Sequence, residues 1–388
     1  MRQNRAWLQI SRLDTVVVGV SILLVVATLL MTFLGRADAA GQRVAFLKNS
    51  PGGIANVWIA DADNPADAKQ ITFAADGVFD FGVSPDGRSI AFSERDFESN
   101  SQEIKLLDLR TGRITQLTDC MAQDSACTTP VWRPDGQLIA YQRIEFNSAL
   151  NIGASPDRIW LLDLSTTPAT TYPLVEDSQV LGYYPEWSAN GQRLAFYDNG
   201  SGGILIYNFA ADTAADENPF SYVTTANGTV GSFSPDGSKL VYPEMLINGA
   251  PVVHSYLQLA DLDNGLSQDL TNPEDQADDQ AVQWNPNGRT IAIGRRYLDD
   301  RYTRGHQIYL YDTTDGTMEP LIYDEAYNHG YFEWNPAGDE LVIQRFRFPT
   351  ESGEDVGGTQ IWTYNITTRA LTLIIDDAYI PRWVPAEK

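Results

Sequence analysis

The sequence predicts an all-β fold: a seven-bladed β-propeller with one blade split between the two chain ends, preceded by one N-terminal transmembrane helix. Three observations predict it. A Pro-Asp-Gly-type turn followed by an apolar strand recurs about every 50 residues, a strand closing on Asp or Asn recurs seven times, and the first 36 residues hold one long uncharged run.

In chain order, the uncharged run comes first. From Thr15 to Gly35 there are 21 residues without a formal charge, enough helix to cross about 30 Å of hydrocarbon. Arg2, Arg5 and Arg12 precede it, whereas Arg36 is followed at once by Asp38. The positive-inside bias therefore puts 1–14 in the cytoplasm, 15–35 in the membrane as a signal-anchor, and 41–388 outside. Ala37-Asp38-Ala39 also has the small-x-small form of a cleavage site, but the run is longer than the usual signal core. Anchored or cleaved, the domain is exported to the periplasmic or extracellular side.

The repeat has six whole copies. Val83-Ser84-Pro85-Asp86-Gly87 leads into Ile90-Ala91-Phe92, and Trp132-Arg133-Pro134-Asp135-Gly136 into Ile139-Ala140-Tyr141. Trp187-Ser188-Ala189-Asn190-Gly191 and Phe233-Ser234-Pro235-Asp236-Gly237 follow, then Trp284-Asn285-Pro286-Asn287-Gly288 and Trp334-Asn335-Pro336-Ala337-Gly338. The chemistry is that of a tight hairpin: Ser or Asn opens the turn, Pro presets φ, and Gly takes a positive φ. The glycines from Gly41 to Gly338 are 46, 49, 55, 46, 51 and 50 residues apart, which is propeller spacing.

A third strand of each unit closes on Asp or Asn, at Asp61, Asp108, Asp163, Asn208, Asp261, Asp312 and Asn365. That is seven, one more than the whole copies. The ends supply the difference, since Gly41 to Phe46 matches the second half of a repeat and Arg382-Trp383-Val384-Pro385 the first half. The C-terminus should thus provide the innermost strand of a blade whose other three strands begin the domain.

At these residues the sequence resembles the WD-like propeller repeats of the TolB-like family, in which Ser-Pro-Asp-Gly then Ile-Ala-Phe marks each blade. The resemblance covers the exported region and implies a propeller that presents surfaces to partners. The chain departs from the family in giving seven repeats where TolB is similar to a six-bladed ring, and in an apolar anchor where that family has an additional N-terminal domain. Propeller-bearing prolyl peptidases carry a hydrolase domain beyond the ring, and no Gly-x-Ser-x-Gly elbow occurs here.

Composition narrows the function. The 388 residues are 43% hydrophobic, and with 27 basic against 51 acidic residues the net charge is -24. A polyanion of that size is repelled by phosphate backbones, so nucleic acid is not an expected partner.

Long loops oppose the tight turns, at Arg143 to Asp157, Pro243 to His254, Gly294 to Gly305 and Arg345 to Gly358. Loops on rigid strands carry binding. Two of them concentrate Arg295, Arg296, Tyr297, Arg301, Tyr302, Arg304, Arg345 and Arg347, with Phe346 and Phe348. Arginine with aromatics suits an acidic protein partner, unless Asp299, Asp300, Glu351, Glu354 and Asp355 neutralise the set locally. His254, His306 and His329 fall at loop ends of different blades and are not expected to meet on one metal ion. Asp61 to Asp67 and Asp261 to Gly265 read as turn chemistry and not calcium loops. Cys120 and Cys127 are the only cysteines and, outside the cytoplasm, suit a disulfide.

The expectation is a membrane-anchored binding or scaffold module, without catalytic residues, metal or cofactor, and so not an enzyme. A receptor for a sugar or peptide in the central funnel is the alternative, ahead of a propeller hydrolase or lyase.

Overall fold

The computed structural model describes residues 42–151, 153–212, 218–247, 254–350 and 357–387. The predicted transmembrane run 15–35 lies outside them. Among the described residues no helix is long and apolar enough to cross a membrane.

Seven four-stranded antiparallel sheets follow one another, and each is one blade. The closing blade, here blade 1, takes its innermost strand Ala378–Val384 from the C-terminus and Arg43–Asn49, Ala55–Asp61 and Lys69–Gln70 from the start of the domain. Its two ends meet in register, Arg43 opposite Val384 and Val44 opposite Trp383. The innermost strands of blades 2 to 7 are Val78–Val83, Ser125–Trp132, Tyr183–Trp187, Ser232–Phe233, Ala277–Trp284 and Tyr327–Trp334.

The turns form as their composition requires. Ser84 N–H donates to Ser89 O at 2.9 Å and Gly87 N–H to Ser84 O at 2.9 Å, while Asp86 Oδ1 accepts from Arg88 N–H and from Ser84 Oγ. Gly87 sits at φ +68°, and a Cβ there would lie 2.0 Å from Pro385 O of blade 1. The position needs glycine for both its φ and its neighbour. The Asp residues ending third strands cap the next turn, as Asp108 Oδ1 does for Arg110 and Thr111 N–H.

The core is a succession of inter-blade interfaces. Ala45, Leu47, Val57 and Ile59 of blade 1 pack on Val78, Phe81, Ile90 and Phe92 of blade 2. Blade 2 meets blade 3 through Ala91, Ile104, Ile139 and Tyr141, and each following pair has its own cluster. The last cluster joins Val342, Ile361 and Ile374 of blade 7 to Val44, Phe46 and Trp383 of blade 1, which closes the ring. Both faces of every sheet are buried, so the second strands read as continuous apolar runs.

Four joints carry a further link. The tryptophan ending an innermost strand donates its indole N–H to a carbonyl in the innermost strand of the preceding blade: Trp132 to Gly82 at 3.0 Å, Trp187 to Val131 at 3.1 Å, Trp334 to Gln283 at 3.2 Å and Trp383 to Glu333 at 3.0 Å. Replacing Trp383 by Phe should remove the second donor to the Glu333 carbonyl, which also faces Val342 in the strand ladder, and cost about 0.5–1.5 kcal/mol. Urea unfolding of the W383F variant, with an unchanged m-value, checks this, and an unchanged midpoint would show the link to be energetically idle.

Candidate functional site

Six of the seven innermost strands carry a register shift near mid-length against their neighbour, for example between Thr128 and Val131 and between Tyr183 and Glu186. Thr129, Tyr184 and Ile380 take φ of +54°, +54° and +51° at these bulges. In blade 5, whose innermost strand is only two residues long, Gly231 takes φ +88° just before it. A bulge re-aims the side chains that follow it. Here it turns the residue just before each bulky strand-end residue toward the ring axis.

Those residues are Gly82, Val131, Glu186, Ser232, Gln283, Glu333 and Arg382, and all but Ser232 line one central cavity of about 800 Å³ to which every blade contributes. Gly82 admits no side chain, because a Cβ would lie 2.4 Å from Pro130 O in blade 3. Asp80, Ser84, Thr129, Tyr184, Thr229, Tyr331 and Asn335 add to the polar lining. Pro85, Pro134, Pro286, Pro336 and Pro385 also line it. The cavity therefore extends to the tight-turn face, opposite the long loops.

Its charges are unevenly partnered. Arg382 Nη1 lies 3.5 Å from Glu333 Oε2, its guanidinium lies 4.9 Å from the Tyr331 ring centroid, and Tyr331 donates its hydroxyl to Glu333 Oε2 at 2.9 Å. Burial pushes Glu333 up to about 8, helped by the charge of Glu186 and opposed by the Trp383 N–H. Burial pushes Glu186 up to about 7, opposed only by the charge of Arg382. Asp80 is also raised by burial, against Arg382 and the Phe81 N–H. Three carboxyls thus share one guanidinium.

The long-loop arginines have a different arrangement from the open basic patch that the sequence suggests. Arg295 is 4% exposed and Arg345 1%. Arg295 stands opposite Asp279 in the strand register and Arg296 opposite Asp278. Arg295 Nε lies 2.9 Å from Asp279 Oδ1, misaligned for a hydrogen bond, and Nη2 lies 3.3 Å from Asp275. Arg345 pairs with Asp324 at 2.6 Å and stacks on Tyr327 and Trp362. Arg296 pairs with Asp278, which also holds His306. Burial opposes the Asp278 charge, yet hydrogen bonds from His306 and Ser255 with the charge of Arg296 hold it below the ordinary carboxylate range. The neutralising residues described come from innermost strands and blade connections, with Asp299 in the loop acting on Arg301; Glu351, Glu354 and Asp355 lie outside the described residues.

Arg301, Tyr302 and Arg304 remain exposed, Arg301 over the Tyr297 ring and Arg304 over Phe348. Arg347 is half-buried. His329 is buried, with Nδ1 at 2.9 Å from His306 O, and burial lowers it to about 4, leaving a neutral imidazole. Among the described residues no three His, Cys, Asp or Glu side chains are placed to hold a metal ion. Cys120 and Cys127 form a disulfide across the connection between blades 2 and 3, both buried in that joint.

The fold and cavity define the chain as a seven-bladed β-propeller with a central chamber of largely apolar walls and a few charged groups. No protein-family model and no curated protein matches its sequence. Solved structures are similar in fold. A prolyl endopeptidase aligns at 13% identity and TM-score 0.60 over 87% of this chain and 48% of its own, so the chain spans about half its length. An oligogalacturonate lyase in complex with manganese aligns at 17% and 0.54, over 78% and 82%. TolB from Acinetobacter baumannii aligns at 17% and 0.49, over 89% and 67%.

These likenesses establish the fold and correct one expectation. The sequence suggested a binding module without catalytic residues and so not an enzyme, and the missing elbow spoke only against a prolyl peptidase; a similar propeller fold occurs in a lyase and a peptidase, so that exclusion does not stand. A missing elbow excludes only one kind of hydrolase.

The cavity residues escaped the sequence reading although a signal exists. Six of them occupy one fixed repeat position, immediately before the bulky residue that precedes each turn, which holds Gly, Val, Glu, Ser, Gln, Glu and Arg in successive blades. Counting strand register back across the Asn285-Pro286-Asn287-Gly288 turn would set Arg295 opposite Gln280 and Arg296 opposite Asp279; the bulge between Asp279 and Val282 shifts them to Asp279 and Asp278, so these pairs were not legible in the sequence.

Two outcomes follow. Arg295→Ala should destabilise by about 3–5 kcal/mol because it leaves Asp279 buried and unpaired, whereas Arg301→Ala should change stability by under about 1 kcal/mol. Denaturant unfolding of both variants separates the structural arginine from the surface one. For the cavity, a carboxyl raised in the folded state binds protons that the unfolded chain has lost, so stability falls as pH rises from about 4.3, the unfolded glutamate value, through about 8. Glu333→Gln should flatten that fall, read as Tm between pH 5 and pH 9. A slope equal to that of the unsubstituted protein would exclude Glu333 as its source.

Proposed function

We propose that this propeller is an exported protein that binds a small polar molecule in its central chamber, entering from the tight-turn face. The observation that carries the reading is the convergence of Arg382, Glu333, Tyr331, Glu186 and Asp80 on one cavity of about 800 Å³. Concave sites with apolar walls and a few convergent polar groups are where small ligands bind. The prolines and the tryptophans of the lining supply the walls. The uncharged run 15–35 and the disulfide support residence outside the cytoplasm, tethered to the membrane. Exposed Arg301, Tyr302 and Arg304 support a separate protein contact on the opposite face.

A thermal-shift screen of monosaccharides, sugar acids, amines and short peptides tests the chamber. A true ligand at about 100 times its Kd should stabilise by about 2.7 kcal/mol, and Thr229→Trp, which fills the chamber from an exposed lining position, should abolish the shift. If no compound stabilises, or if T229W responds equally, the chamber is not the binding site.

A second reading rests on Glu186 and Glu333. Carboxyls raised to about 7 and about 8 suit general acid–base chemistry near neutral pH, and the fold is shared with a lyase. Turnover of a chamber ligand, lost on Glu333→Gln with binding retained, would support it. Binding with no turnover over pH 5–9 would leave a receptor.

A further inference from the structure

We propose that the chamber ligand is a small organic cation, a protonated primary amine or diamine, held by Glu186 and Asp80. The inference deepens the chamber reading and rests on it. Charge balance comes first. The lining contains three carboxyls, Asp80, Glu186 and Glu333, and one cationic group, Arg382. Arg382 is committed to the Glu333 side, at 3.5 Å and beside the Tyr331 ring. Tyr331 gives its hydroxyl to the same carboxylate. Glu333 therefore has its partners.

Glu186 lies three blades from Glu333 around the ring and has none. No hydrogen-bond donor acts on it, and the only opposing charge it feels is the distant guanidinium of Arg382. It is half-buried and lines the chamber. Asp80 in blade 2 accepts from the Phe81 N–H alone, at 2.7 Å. A carboxylate partly withdrawn from water without a counter-charge is costly, and at the repeat position of Glu186 other blades carry the uncharged Gln283 and Ser232. An incoming ammonium supplies both donor and counter-charge.

The occupant is organic and not a metal ion, because no three acidic or imidazole groups among the described residues converge closely enough to coordinate one. The prolines and the Trp132, Trp334 and Trp383 side chains of the lining suit a short alkyl chain. The protein's overall charge of -24 raises the local concentration of any cation at the mouth.

Proton linkage gives a signature that surface attraction would not. The groups facing the ligand are Asp80, Glu186, Glu333, Arg382, Tyr184 and Tyr331. With Glu186 raised to about 7 and Glu333 to about 8 in the empty chamber, a bound ammonium lowers both, so binding releases protons and tightens as pH rises from 6 to 8.

Isothermal titration calorimetry of the full-length protein in detergent at 150 mM salt decides the matter, with 1,4-diaminobutane as probe and glucose and glucuronate as neutral and anionic comparisons. The expected result is saturable diaminobutane binding, about tenfold tighter at pH 8 than at pH 6. The apparent enthalpy should differ between phosphate and HEPES, neither of which is a primary amine, in the sense of proton release. Glu186→Gln and Asp80→Asn should each weaken it at least about tenfold while Tm confirms that they fold. Arg382→Gln should not weaken it. Binding of glucose or glucuronate but not diaminobutane overturns the cation and keeps the chamber reading. Binding of none of the three, or diaminobutane binding equal in E186Q and D80N, also overturns the cation, and the Thr229→Trp screen then reports separately on the chamber.

Discussion

A four-stranded antiparallel blade buries neither face alone, and everything else in this molecule follows from that constraint. The apolar residues of one blade find partners only in the next, so the chain has seven inter-blade clusters in place of one core. A linear stack would leave two faces wet. Pairing Arg43–Asn49 with Ala378–Val384 joins the chain ends and lets the cluster of Val342, Ile361, Val44 and Trp383 form. The indole-to-carbonyl links tie innermost strands together at the radius where they lie closest, and Gly82 marks how close that is.

Packing innermost strands around an axis has a geometric cost that becomes the site. Fully regular strands would aim alternate side chains at a crowded centre. The bulges interrupt that alternation and set one residue per blade toward the axis beside a cavity wide enough for a small molecule. The blades thereby fix the wall, while the identity of that one residue is free to differ. Glu at 186 and 333, Gln283 and Arg382 are three different answers at one structural position.

Charge is handled in opposite ways at the two faces. On the long-loop side Asp275, Asp278, Asp279 and Asp324 meet Arg295, Arg296 and Arg345 in paired, stacked arrangements that hold loops to strands. On the turn side Arg382 answers one carboxyl of three. The long-loop network balances its charges in contact, and a carboxyl without a contacting counter-charge in a cavity is where a ligand has something to gain.

The sequence by itself determined the number of blades, the turn residues, the ends of the third strands and the split blade, because turn chemistry and strand period are local properties that repeat with the chain. The count from Asp61 to Asn365 matched the observed third strands. It also placed Arg295 and Arg345 in the loops, but as an open patch. Only the tertiary structure decided that they are buried, since their partners Asp279 and Asp324 reach them through strand register and blade contact. The chamber was likewise beyond a linear reading. Asp80, Glu186, Glu333 and Arg382 are separated by up to about 300 residues of chain, and they become neighbours only because ring closure brings one bulged strand from each blade to a common axis.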